Sequence, residues 1–294
     1  DYALSLGITK VHDMGSWQSL ETYKRNHNKG RLKLRIKIFP WYTNWKNIIA
    51  NVRNNGPGDD WLRWDGIKGM MDGSLGSRTA WMHEPYLADA LSVEKEALAT
   101  VGIITLHDTT DFKHILRETD KANIQHAVHA IGDRANDWIL DEFALIREEH
   151  GQKDRRCRIE HSQHLSKSAV PRFAAENIIP SMQPYHIYDD GSWAHKRIDH
   201  DRLTRTYVFK TLIESGANLT FGSDWTVAPL NPVTGIYAAV TRRTRDGKNP
   251  DGWYPIEKIS VEDALRSYTI NNAYAAFWEN KTGSITVGKY ADFT

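Results

Sequence analysis

The stretch that decides the fold is residues 124–150, IQHAVHAIGDRANDWILDEFALIREEH. Its first seven residues read as a short strand, and a small turn at Gly132 follows. Beyond the turn, Trp138, Ile139, Phe143 and Ile146 recur at helical spacing with charges opposite them. Strand followed by amphipathic helix is half of a βαβ unit. The same alternation extends outward in both directions. Strands are predicted over 8–13, 32–39, 66–71, 124–130, 158–161, 178–183 and 218–223. Helices are predicted over 17–27, 44–54, 111–122, 135–149, 166–175, 202–215, 232–245 and 261–278. Such a pattern predicts an α/β fold, a parallel sheet covered by helices. Seven strands are one short of a closed (β/α)8 barrel.

The composition narrows the class. The 294 residues would fill an α/β barrel, which needs roughly 250. Thirty-eight Lys+Arg against 37 Asp+Glu give +1, so no nucleic-acid-binding surface is implied. The single Cys157 excludes an internal disulfide and a Cys-rich zinc module, and it is compatible with a cytoplasmic protein. No apolar run reaches the roughly 18 residues of a membrane span. The 11 Trp are scattered, which suits core and pocket walls better than a sugar-stacking platform. The chain begins at Asp1 without Met and stops inside GKYADFT. Both ends read as cut, so a truncated chain is expected.

Four strand ends place metal-capable side chains just before a turn, at the barrel edge where active sites sit. Lys68 lies within GIKGMMDGSLGSRTA; buried, its amine would be neutral and able to take up carbon dioxide as a carbamate. Asp72 competes with it as a ligand from the same loop. In HAVHAIGD, His126 and His129 are three apart and face opposite sides of a strand, and His129, nearer the end, is the better ligand. Asp133 reads as the helix N-cap. In RIEHSQH, His161 ends a strand, Glu160 points the other way and His164 falls in the loop. In LTFGSDW, Asp224 follows an apolar strand and can bind a metal or accept a proton. Each signal is weak alone. In order, Lys, His, His and Asp on successive strand ends suit zinc, manganese or iron-type ions.

The phrases GITKVHDMG, IKGMMDGSLGSRTA, VHAIGDRAN, RIEHSQH, PSMQPYH, FGSDWTV, AAVTRRT and GSITVGKYAD run from Leu6 to Asp292. In them the sequence resembles the metal-dependent amidohydrolase superfamily, in the amidohydrolase family 3 branch that includes N-substituted formamide deformylase-like proteins. The resemblance implies a TIM-type (β/α)8 barrel holding one or two divalent ions, zinc foremost. It implies Lys68 (carboxylated in related hydrolases), His129, His161 and Asp224 as metal ligands. It also implies hydrolysis of an amide or formamide-type carbon–nitrogen bond in a small molecule by a metal-activated water. Asp224 would be the catalytic proton carrier. Arg78, Gln183, His186 and Trp225, in the following loops, are the expected substrate contacts.

One departure stands out. The family carries a His-x-His pair on its first strand, and no His-x-His occurs here. His12 lies on what reads as the second strand and is not that pair. The expected architecture is therefore a barrel without its first strand over residues 1–280, then the start of a small β-sandwich over 281–294. An open edge between the second and eighth strands would favour a homo-oligomer. Three other readings stay open. One is a single-metal, deaminase-like site without a lysine ligand. Another is a non-catalytic ligand- or partner-binding module, and the third is an inactive piece of an enzyme.

Overall fold

The computed structural model describes residues 1–88 and 100–294. Among the described residues eight parallel strands run in chain order: β1 (Lys10–Asp13), β2 (Arg35–Ile38), β3 (Leu62–Arg63), β4 (Gly66–Met70), β5 (Gln125–Ala130), β6 (Arg158–His161), β7 (Ile179–Met182) and β8 (Thr220–Phe221). They form a three-stranded sheet β1-β2-β3 and a five-stranded sheet β4-β5-β6-β7-β8. A parallel bridge from Trp41 to Lys68 joins the two, and the Lys68 amide donates to the Pro40 carbonyl at 2.8 Å. β3 and β4 are successive parts of one extended run that changes partner, from β2 to β5. All seven expected strands are present. β3 escaped the sequence reading because two residues carry no alternation. Among the described residues no ladder joins β8 to β1, so the barrel is not closed between them.

Alternation sorts the side chains into two environments. Outward, Ile36, Ile38 and Leu62 pack on Leu20 of the helix Trp17–Asn28. Ile67 likewise meets Ile48, Ile115 and Ile124. Gly69 is required here, because a Cβ would lie 2.6 Å from the Phe112 ring on the covering helix Thr109–Lys121. Inward, charged residues stand beside buried Phe39 and Ile179. Fully buried Lys37 meets Asp65 at 3.2 Å, and Arg63 also bonds Asp65. Arg158 Nε donates to Glu160 at 2.9 Å, and Ser181 Oγ to the same carboxylate at 2.7 Å. Arg158 also reaches His12 Nδ1.

Several local expectations are corrected. The predicted helix 202–215 is two helices, His200–Leu203 and Phe209–Glu214, because Tyr207 takes a left-handed φ of 53° between them. The predicted helix 261–278 breaks at Thr269 into Val261–Tyr268 and Ile270–Ala275. Asp133 is the first helical residue rather than the cap, which is Gly132. The Asp133 carboxylate instead accepts the amides of Arg134 and of distant His83, each at 2.9 Å. Residues 281–294 contain no strand. They lie across the N-terminal ends of β1 and β2, where Thr282 accepts from Lys10 at 2.9 Å and Asp292 from Arg35 Nη2 at 3.0 Å.

Candidate metal centre

The C-terminal strand ends gather the titratable side chains. β4 brings Lys68, β5 His129 and β6 His161, while Asp224 follows β8. A fifth comes from the helix Tyr185–Asp190 after β7, which carries His186. His161, Ser162 and Asp224 have left-handed φ of 77°, 43° and 56°. Such conformations are uncommon outside glycine and concentrate at functional sites. At His161 the turn cancels strand alternation. Glu160 therefore lies inside the barrel, bonded to Arg158 and Ser181, while His161 also turns to the centre. The expectation that Glu160 points away is corrected by that backbone.

His161, His186 and Asp224 each offer a ligand atom, and these atoms lie within 4.8 Å of one another. His186 Nε2 is 3.3 Å from Asp224 Oδ2. The rings of His129 and His161 meet edge-on with centroids 4.4 Å apart, and His186 lies 6.1 Å from His161. His161 Nδ1 is buried with no hydrogen-bond partner. Burial holds this imidazole well below its ordinary pKa, with His129, His186 and Lys68 acting in the same sense and Gln183 opposing them. A neutral imidazole with an unpartnered nitrogen, beside a carboxylate and further imidazoles, is a donor set that fits a zinc-type ion.

Lys68 is 6% exposed. Burial lowers its amine to about 8, against the pull of Glu160 and Asp224. Asp72, the competing ligand, has its two oxygens engaged by the backbone amides of Ile131, Gly132 and Trp81. His126, as spacing predicts, faces away from the centre, stacked on Phe143. His164 is tied to Thr206 at 2.8 Å.

The expected substrate contacts scatter. Gln183 is buried and donates to the Ser181 carbonyl at 3.0 Å. Arg78 Nη1 donates to Leu87 in the loop beyond β4. Trp225 is 58% exposed and lies 6.3 Å from the Tyr2 ring. His186, expected on the substrate, has a nitrogen among the candidate ligand atoms. Looking past each strand end into the next helix would have found it, since PYH opens one. A groove of about 640 Å³ lined by His195, His200, Trp253 and Tyr254 shares no residue with this centre.

The amidohydrolase family model matches residues 2–294. The chain belongs to the amidohydrolase family. Within it the chain is similar to Protein LONG AFTER FAR-RED 3 of Arabidopsis thaliana, at 35% identity over 99% of this chain and 50% of that one. N-substituted formamide deformylase of Arthrobacter pascens is 23% identical over 99% of this chain and 52% of its own length. This amidohydrolase chain thus spans about half the length of the curated relatives it matches. An uncharacterized metal-dependent hydrolase from Pyrococcus furiosus superposes with a TM-score of 0.83 at 27% identity, covering 100% of this chain and 57% of that structure. The family-3 resemblance read from the motifs is borne out.

Proposed function

We propose that this chain carries the catalytic barrel of a metal-dependent hydrolase that cleaves a carbon–nitrogen bond of an amide or formamide-type small molecule. The observation that carries the reading is the convergence of His161, His186 and Asp224 around a buried, unpartnered His161 nitrogen. These three would hold a divalent ion, zinc foremost, with His129 and Lys68 alongside. When bound, such an ion supplies Lewis acidity that polarises a carbonyl and acidifies water.

The protein's own part is positioning and proton transfer. Asp224 accepts a proton from the attacking water and returns it to the leaving amine. His186, 3.3 Å from Asp224, holds that carboxylate in place. Lys68 is suited to carboxylation: burial lowers its amine to about 8, so it gives up its proton far more readily than an ordinary lysine. Of the expected substrate contacts, exposed Trp225, next to Asp224 in the chain, is the one placed to meet the substrate.

The decisive experiment measures divalent metal content of the purified chain and assays it against a panel of N-substituted formamides and acyl amides. Stoichiometric metal with turnover supports the proposal, and absence of both sinks it. The second reading is a non-catalytic module. That reading predicts neither bound metal nor turnover.

A further inference from the structure

Asp72 follows β4 and is 0% exposed. Its Oδ1 accepts the Ile131 amide at 3.0 Å, and its Oδ2 accepts the Gly132 and Trp81 amides, each at 2.8 Å. These bonds tie the loop leaving β4 to the turn that closes β5 and to the backbone at Trp81. The turn packs so tightly that a Cβ on Gly132 would lie 2.0 Å from the Trp81 carbonyl oxygen. A buried carboxylate held by three amides cannot swing toward an ion. It does touch one more group, His129 Nε2, 3.3 Å from Oδ1. The same nitrogen lies 3.0 Å from the Gly73 carbonyl oxygen. Both neighbours of Nε2 are acceptors only, so the imidazole proton belongs there and Nδ1 keeps its lone pair.

We propose that Asp72 is a positioning residue for His129. With Gly73 it fixes the Nε2–H tautomer and the ring angle, so that Nδ1 is the nitrogen presented to the centre beside His161. A carboxylate behind a ligating imidazole commonly sets its tautomer and its basicity. The Asp72 cage is built from backbone amides of two other segments, so the orientation is set when the loops dock. This inference rests on reading His129 as a ligand, and the test separates the two.

The test uses the full chain, metal-free, with nitrogen-15-labelled histidine. Two-bond proton–nitrogen spectra report which nitrogen of His129 carries the proton, with the signals assigned through His129→Gln. The expected result is that Nε2 carries the proton in the neutral ring, with the Nδ1 resonance moving when zinc is added. In Asp72→Asn a mixture of tautomers should appear and zinc affinity should fall about 10–100-fold, while the His126 signals stay put. A mixed or Nδ1–H tautomer in the parent chain overturns the proposal, even if Asp72→Asn fails to fold. A folded Asp72→Asn that keeps both the tautomer and the affinity also overturns it. If zinc binds but moves neither His129 nitrogen, the ligand reading fails while the tautomer assignment stands.

Discussion

His126 and His129 sit three residues apart on β5, one on each face, and meet opposite fates. His126 faces the helices. Its Nε2 lies 2.9 Å from Thr119 Oγ1, its ring stacks on Phe143 at 5.8 Å, and Cys157 Sγ lies 4.0 Å from Nδ1. Burial draws its pKa down to about 4, and the neighbouring thiol is pushed up to about 12. A His–Cys pair so enclosed is packing, with neither group charged at neutral pH. His129, by contrast, has one nitrogen tied to loop acceptors and its ring against His161. What distinguishes a structural from a chemical histidine here is which nitrogen the surrounding backbone leaves unbonded.

The largest test of that contrast removes the imidazole at the centre. His161→Ala should abolish stoichiometric metal binding and lower hydrolysis by at least about 100-fold, with little change in thermal midpoint. Full metal retention, read by elemental analysis after dialysis, would break the contrast. The next test works on the other face. His126→Ala should leave metal content untouched and cost about 1–3 kcal/mol, seen as a lower urea midpoint. It leaves Thr119 Oγ1, whose own proton is committed to the Ile115 carbonyl at 2.7 Å, without its imidazole donor. Metal loss in that variant would mean the two faces are not independent.

A third test is a pH slope. An unfolded histidine titrates near 6.5. Native His126 resists protonation until about 4 and His164 until about 3, in both cases because of burial. Below about 6.5 the unfolded chain therefore binds protons that the native chain refuses. Stability should be fully present above that pH and decline as pH falls toward 4. Urea midpoints at several pH values would show this, and the decline should be shallower in His126→Gln. An unchanged slope in that variant would assign the effect to other groups.

Much of this was legible in the sequence because it depends on period. The seven strands follow from the alternation of β-rich runs with helical periods, strand alternation sets His126 and His129 on opposite faces, and nearness to the strand end picks His129 as the inward one. What stayed hidden depends on single backbone angles. His161 turns inward through a left-handed φ that an ordinary strand pattern does not announce, and this also placed Glu160 on the wrong side. Tyr207 and Thr269 break helices within apolar runs that read as continuous. The approach of His186 to Asp224 stayed hidden because its helix begins at once after β7, and chain distance gave no hint that it returns there. Asp72 carries the right chemistry for a ligand, and its three amide partners are visible only in the structure.

The ionic floor of the barrel has a thermodynamic consequence. Where most such interiors are filled by Val, Ile and Leu, this one holds Lys37, Asp65, Arg158 and Glu160 buried among their partners. Hydrating apolar surface on unfolding raises heat capacity, and hydrating polar surface lowers it. The two contributions oppose each other in this layer. The barrel should therefore have a flatter stability curve, losing less on cooling than an aliphatic barrel of the same size.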